Sequence, residues 1–246
     1  DKHLFAHRGN GQKPIMQFVN NEWEEAEFVT DDIEKNVADG KHYRDHMILS
    51  RSVYAARKIE AACISKKIPY IVFGGTTLMR SAHVRDVVSA LRILANFRDE
   101  LAWMRYLMLW QGVGEVSASK IIEKMFSYAS LRECIDVVKS AKLKDLAAHE
   151  LLQKICTLEK RPDAAIDIIV AELDSIMARR HENWDARKKD FAALKIVAKR
   201  ADSISTFITE YILDPVAELS NVLEKREDND RIVISTIHSA KGLEAG

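Results

Sequence analysis

Ile232-Val233-Ile234-Ser235-Thr236-Ile237-His238 leads into Ser239-Ala240-Lys241-Gly242-Leu243-Glu244. The first part is a run of β-branched and apolar residues, which predicts a strand over 232–238. The second part, with its glycine, predicts a turn. The strand is isolated in sequence. From about residue 81 to residue 225 there is almost no strand signal, and residues 224–231 form a charged linker. A lone strand arriving after a long helical stretch needs an existing sheet to join.

The candidate sheet lies near the other end. Met47-Ile48-Leu49 reads as a short buried strand. Residues 53–67 read as a helix, with Ala55, Ile59, Ala62 and Cys63 on one face. Pro69 stops it, and Tyr70-Ile71-Val72-Phe73 reads as the next strand, closed by Gly74-Gly75. Strand, helix and strand with tight connections make a βαβ unit, so the two strands should run parallel. Upstream, residues 1–12 read as a loop and residues 15–20 alternate as a short strand. Residues 22–38 form a helix with Ala26, Val29, Ile33 and Val37 at helical spacing. Between the sheet segments, residues 84–96, 100–110, 117–125, 130–140, 143–158, 164–176 and 185–201 all carry helical periodicity. The expected fold class is α/β plus all-α. A partial parallel α/β domain spans 1–79 and 226–246, and an all-helical domain, 80–225, is inserted into it.

Composition excludes little. The 246 residues carry 37 basic and 37 acidic side chains, so bulk charge does not point to nucleic acid. The distribution is uneven. Residues 22–34 hold seven acids and no base, and residues 179–200 hold eight Lys/Arg against three acids. Both runs read as solvated helix faces, and the basic one also as a track for a phosphate backbone. Cys63, Cys134 and Cys156 are far apart with no C-x-x-C spacing, which argues against a disulfide framework or zinc site and fits a reducing cytoplasm. The histidines have no metal-ligand spacing. Trp103, Trp110 and Trp184 sit in helical patterns and read as packing residues. No stretch is long and apolar enough to span a membrane.

The chemistry-bearing segment is the opening one. Thr236 and His238, two apart on a predicted strand, project to one face at its carboxyl end, where ligands of α/β sheets gather. Gly242 permits a tight turn and a close backbone approach, and Glu244 offers a carboxylate to hydroxyl groups. By spacing alone this is equally a strand, a turn and a capped helix.

Thr236-Ile237-His238-Ser239-Ala240-Lys241-Gly242-Leu243-Glu244 resembles motif V of UvrD/PcrA/Rep-type superfamily 1 DNA helicases, T-[IL]-H-x-[AS]-K-G-L-E, at every fixed position. The resemblance implies that Thr236 and His238 contact single-stranded DNA, and that Gly242 and Glu244 face ATP. It also implies that the α/β part is a portion of the second RecA-like motor domain (2A) and the helical insertion the accessory 2B domain. Ile48-Leu49-Ser50-Arg51-Ser52, then Ile68-Pro69-Tyr70 with Gly74-Gly75, is similar to the family's I-L-x-R-[ST]-N and I-P-Y-x-x-x-G-G. Val53 stands where the family has Asn, so no DNA contact is carried to it. For Arg51, a strand-end ion pair and a functional role both stay open. His83-Val84-Arg85-Asp86 with Leu91, Arg92, Ala95 and Asn96 resembles E-I-K-D…L-R-L-I-A-N, at the opening of the insertion.

Gly112-Val113-Gly114 lies between two helices, with Ser117 and Lys120 following. Backbone N–H groups freed at a helix start bind phosphate without reading a base. A lone G-x-G is also an ordinary helix turn. A similar G-[IV]-G in the family's 2B domain approaches duplex DNA, which implies duplex contacts for Gly112, Val113, Gly114, Ser117 and Lys120.

No G-x-x-x-x-G-K-[ST] occurs in the sequence, and no acidic Mg²⁺ box can be defended. Phosphoryl transfer needs both, and the family carries them in its first motor domain. The resemblance implies a parent protein that is an ATP- and Mg²⁺-dependent 3′-5′ DNA helicase or translocase. Its partners would be single-stranded DNA, a duplex junction, and repair or recombination proteins. These 246 residues are expected to be inactive alone. Two other readings stand beside it: a catalytically inactive helicase-like subunit that binds DNA or a partner, and the helicase part of a helicase–nuclease.

Overall fold

The computed structural model describes residues 11, 13–141, 147–213 and 230–240. Helix α1 (Glu22–Ala38) starts where the Asn21 side chain accepts from the backbone N–H groups of Trp23 and Glu24. Acids at Glu22, Glu24 and Glu25 favour the positive end of the helix dipole. Ala26, Thr30 and Ile33 form its buried stripe. The acidic run is not merely solvated. Glu22 pairs with Lys58, and Asp31 and Glu34 both pair with Lys66.

Strand β1 (Met47–Ser50) and strand β2 (Tyr70–Phe73) flank strand β3 (Ile232–Thr236), giving the order β1-β3-β2 with all pairs parallel. The two early strands share a direction, as expected, but they do not pair with each other. The late strand enters between them. Helix α2 (Arg57–Ser65) connects β1 to β2 and begins later than the expected 53, because residues 53–56 form turns. On β3, Ile232 and Ile234 are fully buried. Its Ser235 pairs in register with Leu49 and Phe73, whose apolar side chains are about half exposed at 53% and 45%. The expected strand at 15–20 does not form; this stretch is irregular, and Ile15, Met16 and Phe18 are exposed. Its alternation finds no pairing partner among the described residues.

Between β2 and β3 the described residues are helical: α3 (Ala82–Ala95), α4 (Glu100–Leu107), α5 (Glu115–Met125), α6 (Leu131–Ser140), α7 (Ala147–Cys156), α8 (Pro162–Arg180), α9 (Trp184–Lys188), α10 (Asp190–Ala198) and α11 (Ile204–Phe207). A π-helical turn, Ile208–Ile212, extends α11. Sequence periodicity missed this last pair. Side-chain caps from Asp99, Ser130 and Ser203 start α4, α6 and α11, and Pro162 occupies the first turn of α8. The expected helix at 185–201 is split at Lys189. Trp103, Trp110 and Trp184 are buried, as packing residues.

Among the described residues one apolar core runs from Ala26 on α1 through the helices to Ile234 on β3. Helix α10 packs directly on α2. That junction contains a buried polar cluster. Arg57 donates to Glu60 (2.6 Å), to the Thr76 carbonyl (3.0 Å) and to Ser81 (3.0 Å). Its Nε lies 3.3 Å from Asp190 Oδ2 without hydrogen-bond geometry. His83 Nε2 reaches the same Asp190 oxygen at 3.1 Å. The Leu78 N–H donates to Glu60 Oε1. Burial pushes the Glu60 carboxyl up, opposed by the adjacent Arg57 charge.

Candidate nucleic-acid interface

The carboxyl ends of the strands meet at one rim. Ser50 pairs in register with Thr236, and the Ile237 N–H donates to the Ser50 carbonyl at 3.0 Å. The chain then turns. Thr236 Oγ1 accepts from the Ser239 N–H at 3.2 Å and lies 2.9 Å from Ser239 Oγ, while the Ala240 N–H donates to the Thr236 carbonyl. Thr236 is therefore the residue that locks the turn, and its side chain is half-buried.

The strand ends at Thr236, so His238 is not on it. The alternation argument that put both side chains on one strand face does not hold. His238 lies in the turn, exposed, beside Ile237, which is 60% exposed. Both residues still stand at the same rim. The hydroxyl is engaged within the turn, whereas the imidazole is open to solvent.

Two further loops border this turn. Gly74 has φ +76°, a conformation that favours glycine, and a Cβ there would stand 2.0 Å from Ser239 Oγ. A Cβ on Gly75 would meet Val53 Cγ2 at 2.5 Å. The Gly74-Gly75 turn, the 51–56 turn and the 237–240 turn thus pack around one point. Arg51 is exposed in the second of these. The positions assigned by resemblance to ATP, Gly242 and Glu244, lie outside the described residues.

The second predicted set sits elsewhere, at the start of α5. Gly112 has φ +82°, which turns the chain after α4, and the Val113 N–H returns to the Trp110 carbonyl at 3.2 Å. Gly114 is the N-cap of α5 and supplies no side-chain cap. The first-turn N–H groups of α5 thus have no side-chain acceptor from that cap. A Cβ on Gly114 would meet open space. Gly112, Gly114, Ser117 and Lys120 are exposed, while Val113 packs on the core. Glu115, in the first turn, opposes an anion there. The set shares no residue with the Thr236–His238 rim.

Sequence reasoning passed over a third set. Arg80, Arg85, Arg92, Arg105 and Arg180 line one cleft in the helical part. The spacing of Arg85 and Arg92 on α3 puts them on one helix face, a signal available from the sequence; their meeting with the other three is not. Among the described residues no group of His, Cys, Asp and Glu is placed to hold a metal ion. No described helix is long and apolar enough to cross a membrane.

Comparison with known proteins adds identity. The family model described as "UvrD-like helicase C-terminal domain" matches residues 1–245. The chain is 26% identical over 260 residues to the protein named ATP-dependent DNA helicase PcrA of Staphylococcus aureus (strain Mu50 / ATCC 700699). The alignment covers 99% of this chain and 35% of that protein. Proteins named Probable DNA helicase II homolog, from Rickettsia conorii and Rickettsia felis, are each 26% identical over 256 residues, covering 99% of this chain and 39% of theirs. The chain therefore spans between 35% and 39% of the length of these relatives.

Proposed function

The chain belongs to the UvrD-like helicase C-terminal domain family, and from that premise we propose that it is the 2A–2B segment of an ATP-dependent 3′-5′ DNA helicase or translocase. The observation that carries the reading is the rim at the carboxyl end of β3, where Thr236 fixes a turn that presents His238 to solvent. An exposed imidazole beside an exposed apolar residue suits a strand's phosphates and sugars. Thr236 acts mainly by positioning, since its hydroxyl is already bonded to Ser239.

In this reading residues 1–79 and 226–246 are the portion of the second RecA-like domain, and 80–225 the helical accessory domain. Gly242 and Glu244 face the nucleotide. ATP hydrolysis and Mg²⁺ binding belong to the other motor domain of the parent protein, and closure of the cleft between the two moves the Thr236–His238 rim along the single strand. Gly112, Val113, Gly114, Ser117 and Lys120 hold duplex ahead of the junction through backbone amides and one ammonium group. Support for that last assignment is the positive φ of Gly112 and the open space at Gly114.

The test is fluorescence anisotropy of the chain with a labelled duplex carrying a 3′ single-stranded tail, over a salt series. Salt-sensitive binding is expected, weakened for the tail by His238→Ala and for the duplex by Gly112→Asp/Gly114→Asp. Folded protein that binds neither DNA at low salt overturns the reading.

A further inference from the structure

The buried cluster at the start of α2 stands against the rim. Arg57 is the first residue of α2, so it follows the 51–56 turn without a break. Its guanidinium reaches the connection that leaves β2: Nη1 donates to the Thr76 carbonyl at 3.0 Å and Nη2 to Ser81 Oγ at 3.0 Å. Thr76 directly follows the Gly74-Gly75 turn. One side chain thus ties together the two loops that border the 237–240 turn. Glu60, three residues on, holds the same connection. Its Oε2 takes Arg57 at 2.6 Å, and its Oε1 accepts from the Leu78 N–H at 2.9 Å. The Tyr70 hydroxyl bonds to Glu60 as well. Glu60 borders a narrow gap that Ser50, Ser235 and Thr236 also line, so it reaches the strand ends from within. Asp190 on α10 faces the guanidinium at Nε and holds it in this orientation.

Neither side chain can itself meet a nucleic acid, since Arg57 is 6% and Glu60 1% exposed. Stability alone does not account for an ion pair in this place, because well-packed apolar side chains of similar volume often do as well. What the pair supplies is geometry: a planar guanidinium fixes several acceptors at once, which a single ammonium does not. The constraint passes on to the rim by two close approaches. Gly74 comes so near Ser239 that no Cβ fits between them, and Ser239 bonds to Thr236. Gly75 comes as near to Val53, in the turn that leads into Arg57. We propose that Arg57, backed by Glu60, is a positioning residue for the rim: it holds the 51–56 and 74–81 loops against the 237–240 turn and so sets how His238 meets single-stranded DNA. The proposal rests on the reading of the rim as a single-strand contact.

The experiment pairs hydrogen–deuterium exchange of the free 246-residue chain with anisotropy of a labelled oligothymidine. Arg57→Lys keeps a cation beside Glu60 and Asp190 but loses the fork. Ser81→Ala removes one of its acceptors and serves if Arg57→Lys does not fold. Ile166→Ala, in the buried core of α8, lowers stability away from the rim and is the control. Arg57→Lys should speed exchange roughly 10-fold in peptides covering 74–81 and 236–240, with α7 and α8 unchanged. It should weaken oligothymidine binding by roughly 5-fold or more, and cause no further loss in a His238→Ala background. Ser81→Ala should show the same pattern, smaller, and Ile166→Ala should spare oligothymidine binding. Wild-type exchange at 236–240 in both Arg57→Lys and Ser81→Ala overturns the proposal. So does acceleration spread equally over α7 and α8, or an equal loss of binding in Ile166→Ala, since either marks a merely structural role. Binding lost in His238→Ala but kept in Arg57→Lys also overturns it and leaves the single-strand reading standing. The expected exchange pattern in a chain that binds no oligothymidine overturns that reading and keeps the link between Arg57 and the turn.

Discussion

Arg57 on α2 and Asp190 on α10 meet as a buried ion pair, Nε to Oδ2 at 3.3 Å, and so tie the βαβ unit to a helix far along the chain. Both side chains are almost fully buried, and Glu60, Ser81 and His83 complete the cluster. Removing the guanidinium from such a cluster leaves the buried carboxyl groups of Glu60 and Asp190 without their cation in a low-dielectric site. Arg57→Ala should therefore cost about 3–5 kcal/mol in denaturant unfolding. A change under about 1 kcal/mol would show that Glu60 and Asp190 do not depend on it.

The same burial sets the behaviour of Cys63. Desolvation pushes its thiol from an ordinary 9.0 up to about 12. The folded state thus holds a proton that the unfolded chain releases first. This thiol's share of stability is present below about pH 9 and is lost as pH rises toward 12. Tyr70 and Tyr106 are shifted upward by burial too and act with the same sign. Melting temperature should fall from about pH 8 to about pH 11, and less steeply in Cys63→Ala. At neutral pH the native Cys63 should resist thiol reagents that label it in denaturant.

Gly74 tests the packing of the loops at the rim. Its positive φ and the Ser239 side chain both exclude a Cβ. Gly74→Ala should lose about 1–2 kcal/mol from the backbone alone. It should also weaken single-strand binding, because Ser239 holds Thr236 and must move. Unchanged stability and unchanged binding would mean that the two turns are independent.

The absence of a P-loop sequence leads to an activity prediction. The purified chain should release no phosphate from ATP above buffer, with or without DNA, in the presence of Mg²⁺. Steady hydrolysis that co-purifies with the chain through successive columns would contradict it.

Much of this architecture was legible in the sequence, for physical reasons that also mark where legibility ends. The β-branched run at 232–236 and the run at 70–73 announce strands because few other residues suit a buried pleat. Their order was not legible: that β3 slots between β1 and β2 depends on pairing across the whole helical stretch. The alternation of 15–20 looked like a strand, but a strand needs an edge to pair with. His238 was expected on the strand because its residue type gives no sign that Thr236 would end it by capping the next turn. The Arg57 cluster and the arginine cleft join residues distant in sequence, and charged side chains read as surface until their partners are seen. By contrast, the G-x-G turn at 112–114 was legible because glycine's positive φ is a local property.

The most direct measurement is hydrogen–deuterium exchange of the chain with and without a short single-stranded oligothymidine. Slowed exchange is expected in peptides covering 236–240, together with the 51–56 and 74–75 turns that pack against them, with loss of that protection in His238→Ala. Bound oligonucleotide that leaves these peptides unprotected and slows exchange only elsewhere would contradict it.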